Sequence, residues 1–158
     1  MRTQYAIACL LYTLCAPALA QTDETALRAL HTAKALNCEF ETRVETSFQG
    51  DALRPHQISD KTVLMFDSIE YPRPRACLVA NYRHLGPSAN EVDVFWSASG
   101  ITLVEGKDYR NHSFTTVFPV FVRSKTTFAA VHSVHALDPK LSEPNGPAQS
   151  YGTCRFSP

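Results

Sequence analysis

From Cys38 to Phe48 the chain alternates with a period of two. Cys38, Phe40, Thr42, Val44, Thr46 and Phe48 hold the even positions, while Glu39, Glu41, Arg43 and Glu45 hold odd ones. In a β-strand successive side chains point to opposite faces, so this pattern predicts a half-buried strand with a charged outer face. On this reading Glu39, Glu41, Arg43 and Glu45 solvate one side of a sheet and discourage mispairing. Gln49-Gly50-Asp51 closes the strand.

One such strand needs partners, and the rest of the chain supplies them. Strand-like runs occur at 62–70, 76–82, 91–97, 101–105, 112–122, 126–137 and 150–156. Ser99-Gly100 marks a hairpin whose loop is expected to be longer than the tightest type. Pro119 marks an edge or a bulge. No helical segment separates these runs, so an antiparallel arrangement is expected rather than a βαβ sheet. About eight short strands at regular spacing predict an antiparallel barrel, lipocalin-like, or a closely related sandwich.

The strands are preceded by one predicted helix over 23–36. Asp23 can cap it, Glu24 and Lys34 suit its dipole, and Leu27, Leu30 and Ala33 share a side, with Asn37 as the stop. Upstream, Arg2, the apolar run Tyr5–Cys15 and Ala16-Pro17-Ala18-Leu19-Ala20 follow the plan of a secretory signal peptide over 1–20. The apolar run falls short of the roughly 20 residues that span a bilayer. Tyr12-Thr13-Leu14 before Cys15 lacks the small residue of a lipidation site. The expectation is one exported domain over 21–158, periplasmic or extracellular, monomeric, with no membrane span and no lipid tail.

Lysine plus arginine equals aspartate plus glutamate, 15 against 15. No basic stripe of the kind that binds nucleic acid is present. Neutrality also argues against strong steering of a charged partner.

Closing a meander pairs its first and last strands, because closure removes free edges. Cys38 opens the first strand and Cys154 lies in the last, which makes them the expected bridge. A loop of that size contributes about 4–5 kcal/mol in the chain-entropy model. Three cysteines still allow three single pairings, and spacing alone does not select among them. With Cys38 and Cys154 joined, Cys77 is expected as a free, buried thiol in the third strand.

Several segments together resemble a family of small, uncharacterised secreted proteins of Gram-negative bacteria. They are Leu64-Met65-Phe66-Asp67-Ser68-Ile69, Thr115-Thr116-Val117-Phe118, Phe128, Ala130-Val131-His132-Ser133, His135 and Ser150-Tyr151-Gly152-Thr153-Cys154. Val134 departs from the pattern, where an arginine is expected within His-Ser-x-His. The resemblance implies a β-rich periplasmic or extracellular protein joined by Cys38 and Cys154. It implies no activity.

The chemistry-bearing residues are sparse. His132 and His135 are three apart, which puts them on opposite faces of a strand, so one zinc ion would not take both. Ser97-Ala98-Ser99-Gly100 reads as a turn rather than a nucleophile elbow. The remaining histidines, His31, His56, His84 and His112, are scattered. No phosphate loop, dinucleotide fingerprint or Cys-x-x-Cys is present, so no cofactor is expected. Thr116, His132, His135 and Tyr151 are a candidate polar site if they converge. Phe40, Phe66, Trp96, Phe118 and Phe128 line an apolar pocket if the barrel is hollow, and form its core if they interdigitate. Small Ala129, Ala130 and Gly152 leave room inside or admit helix packing. The expected function is a non-enzymatic barrel that binds a small apolar or amphipathic ligand. The alternative is an interaction module, such as an inhibitor of an envelope-degrading hydrolase. That module would dock through Arg54–Lys61 or the proline-rich segment Asp138–Gln149.

Overall fold

A computed structural model describes residues 23–49, 52–81, 90–106, 111–136 and 145–157. The expected signal segment 1–20, the turn residues Gly50 and Asp51, His84 and most of the proline-rich segment lie outside the described residues.

Helix α1 spans Glu24–Thr32. Asp23 caps it, its carboxylate accepting from the backbone N–H of Thr25 at 2.9 Å and of Ala26 at 3.3 Å. The helix ends earlier than its sequence suggests. Ala33 is already extended, at φ −62° and ψ 131°. The cause is tertiary: Leu36 is needed as the first inward residue of a strand, paired with Phe66 on one side and Phe156 on the other. Asn37 therefore does not stop a helix; it lies within that strand.

Eight strands follow: β1 Ala35–Gln49, β2 Ala52–Asp67, β3 Arg75–Asn81, β4 Asn90–Ser97, β5 Gly100–Glu105, β6 Asn111–Phe121, β7 Thr127–Ala136 and β8 Asn145–Ser157. Each pairs antiparallel with the next, and β8 returns to β1, closing one ring. The expected antiparallel barrel with one N-terminal helix is what the chain forms. Cys38 and Cys154 are direct cross-strand partners at the closure, joined by a disulfide with Cα atoms 3.9 Å apart. Ala98 and Ser99 turn β4 into β5, Ser97 pairing with Gly100, so this hairpin has the two-residue loop rather than a longer one. Gly100 has φ +130°, and a Cβ there would run into the Val117 carbonyl, so glycine is required.

Arg54–Lys61 is not a loop. It belongs to β2 and is paired with β1 from Gln49↔Ala52 onward. Residues 145–149 of the proline-rich segment likewise belong to β8. Cys77 is free as expected, but it is only half-buried. Its neighbours Ala76 and Leu78 take the inward positions of β3, which turns Cys77 outward.

The helix covers one end of the barrel. Ala26, Leu30 and Ala33 meet Leu36, Phe66, Ile69, Val94, Ile101, Val117 and Phe128 in one buried cluster. The end is clamped by aromatic contacts: His31 stacks on Tyr71 at 4.1 Å, and Trp96 stands edge-on to Tyr71 at 5.1 Å. The Trp96 Nε1–H donates to the Arg73 carbonyl at 2.9 Å.

The alternation of β1 breaks at Glu41. From Leu36 to Phe40 the even residues are buried. Phe40 pairs with Gly152, but the next pair is Thr42 with Tyr151, so β1 carries one extra residue there against β8. Such a bulge turns the following side chains over. Glu39 and Glu41 stay outside. Arg43 becomes buried at 9% exposure, and Glu45 lies on the same inner face. The expected outward placement of Arg43 and Glu45 is thus reversed. Gly152 serves this kink: a Cβ would run into the Glu39 carbonyl and lie 2.7 Å from Phe40 Cα. Its smallness admits the β1 backbone, rather than a ligand or the helix.

Candidate functional site

The bulge divides the barrel interior. On the helix side the inward residues are apolar and tightly buried, with Phe40, Phe66 and Phe128 among the largest fully buried side chains. Away from the helix, two rows of inward residues run across the strands. The inner row reads Leu103, Thr115, His132, Ser150, Arg43 and Ile58, each the register partner of the next. The outer row reads Glu105, Ser113, Val134, Ala148, Glu45 and His56 in the same way.

His132 is 6% exposed, and its Nδ1 lies 3.0 Å from the hydroxyl of Thr115, which is fully buried. Its ring lies 5.6 Å from that of Phe40. Burial, with the nearby Arg43 charge, lowers its pKa to about 4. The imidazole is therefore neutral near pH 7 and a weak base. A hydroxyl beside an imidazole suggests a nucleophile and its base. Here the charge acting on the ring is a cation, which opposes protonation instead of stabilising it.

Arg43 is held between carboxylates. Its Nε lies 2.6 Å from Glu45 Oε1, and its Nη1 lies 3.8 Å from Asp60 Oδ2. His56 Nε2 lies 3.6 Å from Glu45 Oε2. Three side-chain atoms of this interior are shielded and have no hydrogen-bond partner among the described residues: Arg43 Nε, Thr62 Oγ1 and Glu105 Oε1. Thr62 pairs with Phe40, below the inner row. Burial pushes the Glu105 carboxyl up from its ordinary range, opposed by a hydrogen bond from Ser113.

Exposure rises outward along this wall. Phe40 has none, the Arg43 side chain is 11% exposed and Glu45 29%, and His56 beside Glu45 is 50% exposed. Solvent therefore reaches the polar half along its β1–β2 side.

The residues singled out from sequence are divided by the barrel wall. Of the polar set, only His132 is inside. Thr116 lies on the outer face, its hydroxyl 3.2 Å from that of Thr102. Tyr151 is exposed and donates to Gln149 Oε1 at 2.9 Å. Thr116 and Tyr151 flank Val131 in register on the outside. His135 is exposed, with its ring 5.7 Å from that of Phe114. These four residues do not converge. Of the aromatic set, Phe40, Phe66 and Phe128 are core, Trp96 packs against it, and half-buried Phe118 falls outside that cluster.

Sequence reasoning missed Thr115, Ser150, Arg43 and Glu105 as interior groups. Thr115 and Ser150 are legible afterwards as the inward-parity neighbours of Thr116 and Tyr151. Arg43 carries no such signal, because its direction depends on the bulge. Among the described residues, no group of three or more His, Cys, Asp or Glu is placed to hold a metal ion. No described helix is long and apolar enough to cross a membrane. No protein-family model and no curated protein sequence matches the chain.

Proposed function

We propose that this chain is a non-enzymatic carrier barrel that works in an oxidising compartment outside the cytoplasm. It binds a small amphipathic molecule in the half of its interior away from α1. The observation that carries this reading is the change of lining at the Glu41 bulge. Below it, Phe40, Phe66 and Phe128 fill the interior with the protein's own side chains. Above it, the wall presents Thr115, His132, Ser150 and Arg43, and exposure rises toward the rim. A purely apolar ligand would have to displace packed phenyl rings. An amphipathic one can place its polar end against Thr115, His132 and Ser150 of the inner row and its apolar part beside Val134 and Ala148 of the outer one.

The non-enzymatic part rests on His132, the one histidine of the inner row, whose low pKa suits it poorly to proton transfer near neutrality. The export part rests on the Cys38–Cys154 disulfide, a bond that persists in oxidising compartments.

Native mass spectrometry of protein purified after export tests the reading. The expected result is a small molecule retained by the wild type and lost from Ser150→Phe, which fills the inner row. Wild-type protein that is empty in native spectra overturns the carrier reading. Catalytic turnover that His132→Ala abolishes overturns the non-enzymatic one.

A further inference from the structure

The register of β6 against β7 brings together two histidines that are distant in the chain. His112 and His135 are direct cross-strand partners. Both stand on the outer face. Ser113 and Thr115 take inward positions on β6 and His132 takes one on β7, so His112 and His135, of the opposite parity, look outward. His112 is half-buried and His135 exposed. One phenyl ring flanks both: Phe114 lies 6.4 Å from the His112 ring and 5.7 Å from the His135 ring. It narrows the rotamers open to each imidazole without occupying a ring nitrogen.

The other described histidines are committed elsewhere. His132 is buried with its Nδ1 3.0 Å from the Thr115 hydroxyl, His56 faces Glu45, and His31 stacks on Tyr71. His112 and His135 have no hydrogen bond or ion pair among the described residues. Residues directly opposed on an antiparallel pair have Cβ atoms about 4.5–5.5 Å apart. A metal ion that takes two imidazole nitrogens at about 2.0–2.1 Å bridges such a gap. His132 cannot serve His135 in this way, because the two look to opposite sides of the wall. His112 supplies, across the strand pair, the partner that β7 alone withholds.

We propose that His112 and His135 chelate a first-row divalent transition-metal ion on the outer wall of the barrel, copper(II) most tightly. Imidazole suits copper, nickel and zinc, and copper stands at the top of the affinity order for such sites. Two protein ligands leave the other positions to water, so the ion is exchangeable. That sets the site apart from the closed four-ligand sites in which zinc holds a fold together. The site lies outside the barrel and does not depend on the carrier reading. A bound ion joins β6 to β7 and stabilises the folded chain by mass action.

Isothermal titration of untagged protein with copper(II), and with magnesium as the control ion, tests this. The expected result is one copper ion per chain and no magnesium, with copper affinity falling tenfold or more in His112→Ala and in His135→Ala. Thermal unfolding without metal establishes that each variant is folded. Copper is expected to raise the unfolding midpoint of the wild type and to leave those of the two variants unchanged. Cys77→Ser, which removes the half-buried thiol, is expected to bind copper as the wild type does. The electron paramagnetic resonance spectrum of the loaded protein should show coupling to two imidazole nitrogens. Absence of copper binding overturns the proposal. So does copper affinity unchanged in either folded alanine variant, or lost in Cys77→Ser.

Discussion

Arg43 and Glu45 share the inner face of β1, Nε to Oε1 at 2.6 Å, because one extra residue at Glu41 turns the strand over. Without that bulge both would stand outside with Glu39 and Glu41. The bulge thus converts an ordinary charged strand face into the polar lining of a barrel.

Removing Arg43 distinguishes the two placements. On an outer face, Arg43→Met would cost about 0–1 kcal/mol, as exposed ion pairs do. Inside, it removes the guanidinium that faces the Glu45 carboxylate near a mostly buried wall. Full burial would make the cost about 3–5 kcal/mol, and the partial exposure of Glu45 brings it nearer about 2. Urea unfolding of Arg43→Met, Glu45→Met and the double variant measures it. The double variant is expected to recover part of the loss; strict additivity would show that the two side chains do not interact.

Gly152 is expected to tolerate no side chain. A Cβ there meets the Glu39 carbonyl and Phe40 Cα, both backbone, so neither can swing aside. Gly152→Ala is expected to cost about 1–3 kcal/mol or more, the usual range for overpacking. An unchanged denaturation midpoint would mean that β1 does not approach β8 this closely.

Stability is expected to fall with acid through His132. Its pKa is about 4 in the folded protein, below the ordinary histidine value of 6.5. Between these values the unfolded chain binds the proton and the folded one does not, so stability rises with pH across that window. Above pH 6.5 the effect is absent; it grows on acidification and is complete near pH 4, totalling about 3 kcal/mol. The measurement is the difference in unfolding free energy between wild type and His132→Gln at pH 7 and at pH 4.5. Parallel pH profiles for the two proteins would refute it.

The disulfide spans 116 residues and ties the first strand to the last. Replacing Cys38 and Cys154 by alanine is expected to cost up to about 4–5 kcal/mol. Unreduced peptide mapping should join the Cys38 and Cys154 peptides and leave Cys77 alkylatable in unfolded protein. Finding Cys77 in the bridge would contradict the strand order around the ring.

Local information was enough for the existence of the eight strands, the Asp23 cap and the all-antiparallel class. Alternation, turn residues and capping act over a few neighbours. The Cys38–Cys154 pairing needed only the further idea that a meander closes on itself. Three things were decided elsewhere. Helix α1 stops at Thr32 because Leu36 is required between Phe66 and Phe156, partners distant in sequence. Arg54–Lys61 looks polar enough for a loop, yet it is a strand because β1 offers its edge along that whole length. The polar interior turns on a single bulged residue, and a one-residue shift of a strand moves every later side chain to the other face. Glu41 resembles Glu39 in composition and in its local pattern; what makes it the bulge is the joint register of β1 with β8 and the space left by Gly152. Sequence by itself determined where the eight strands lie, though not how far β2 extends. The closed ring decided which of their side chains look inward, because facing depends on register, and register is a property of pairs of strands.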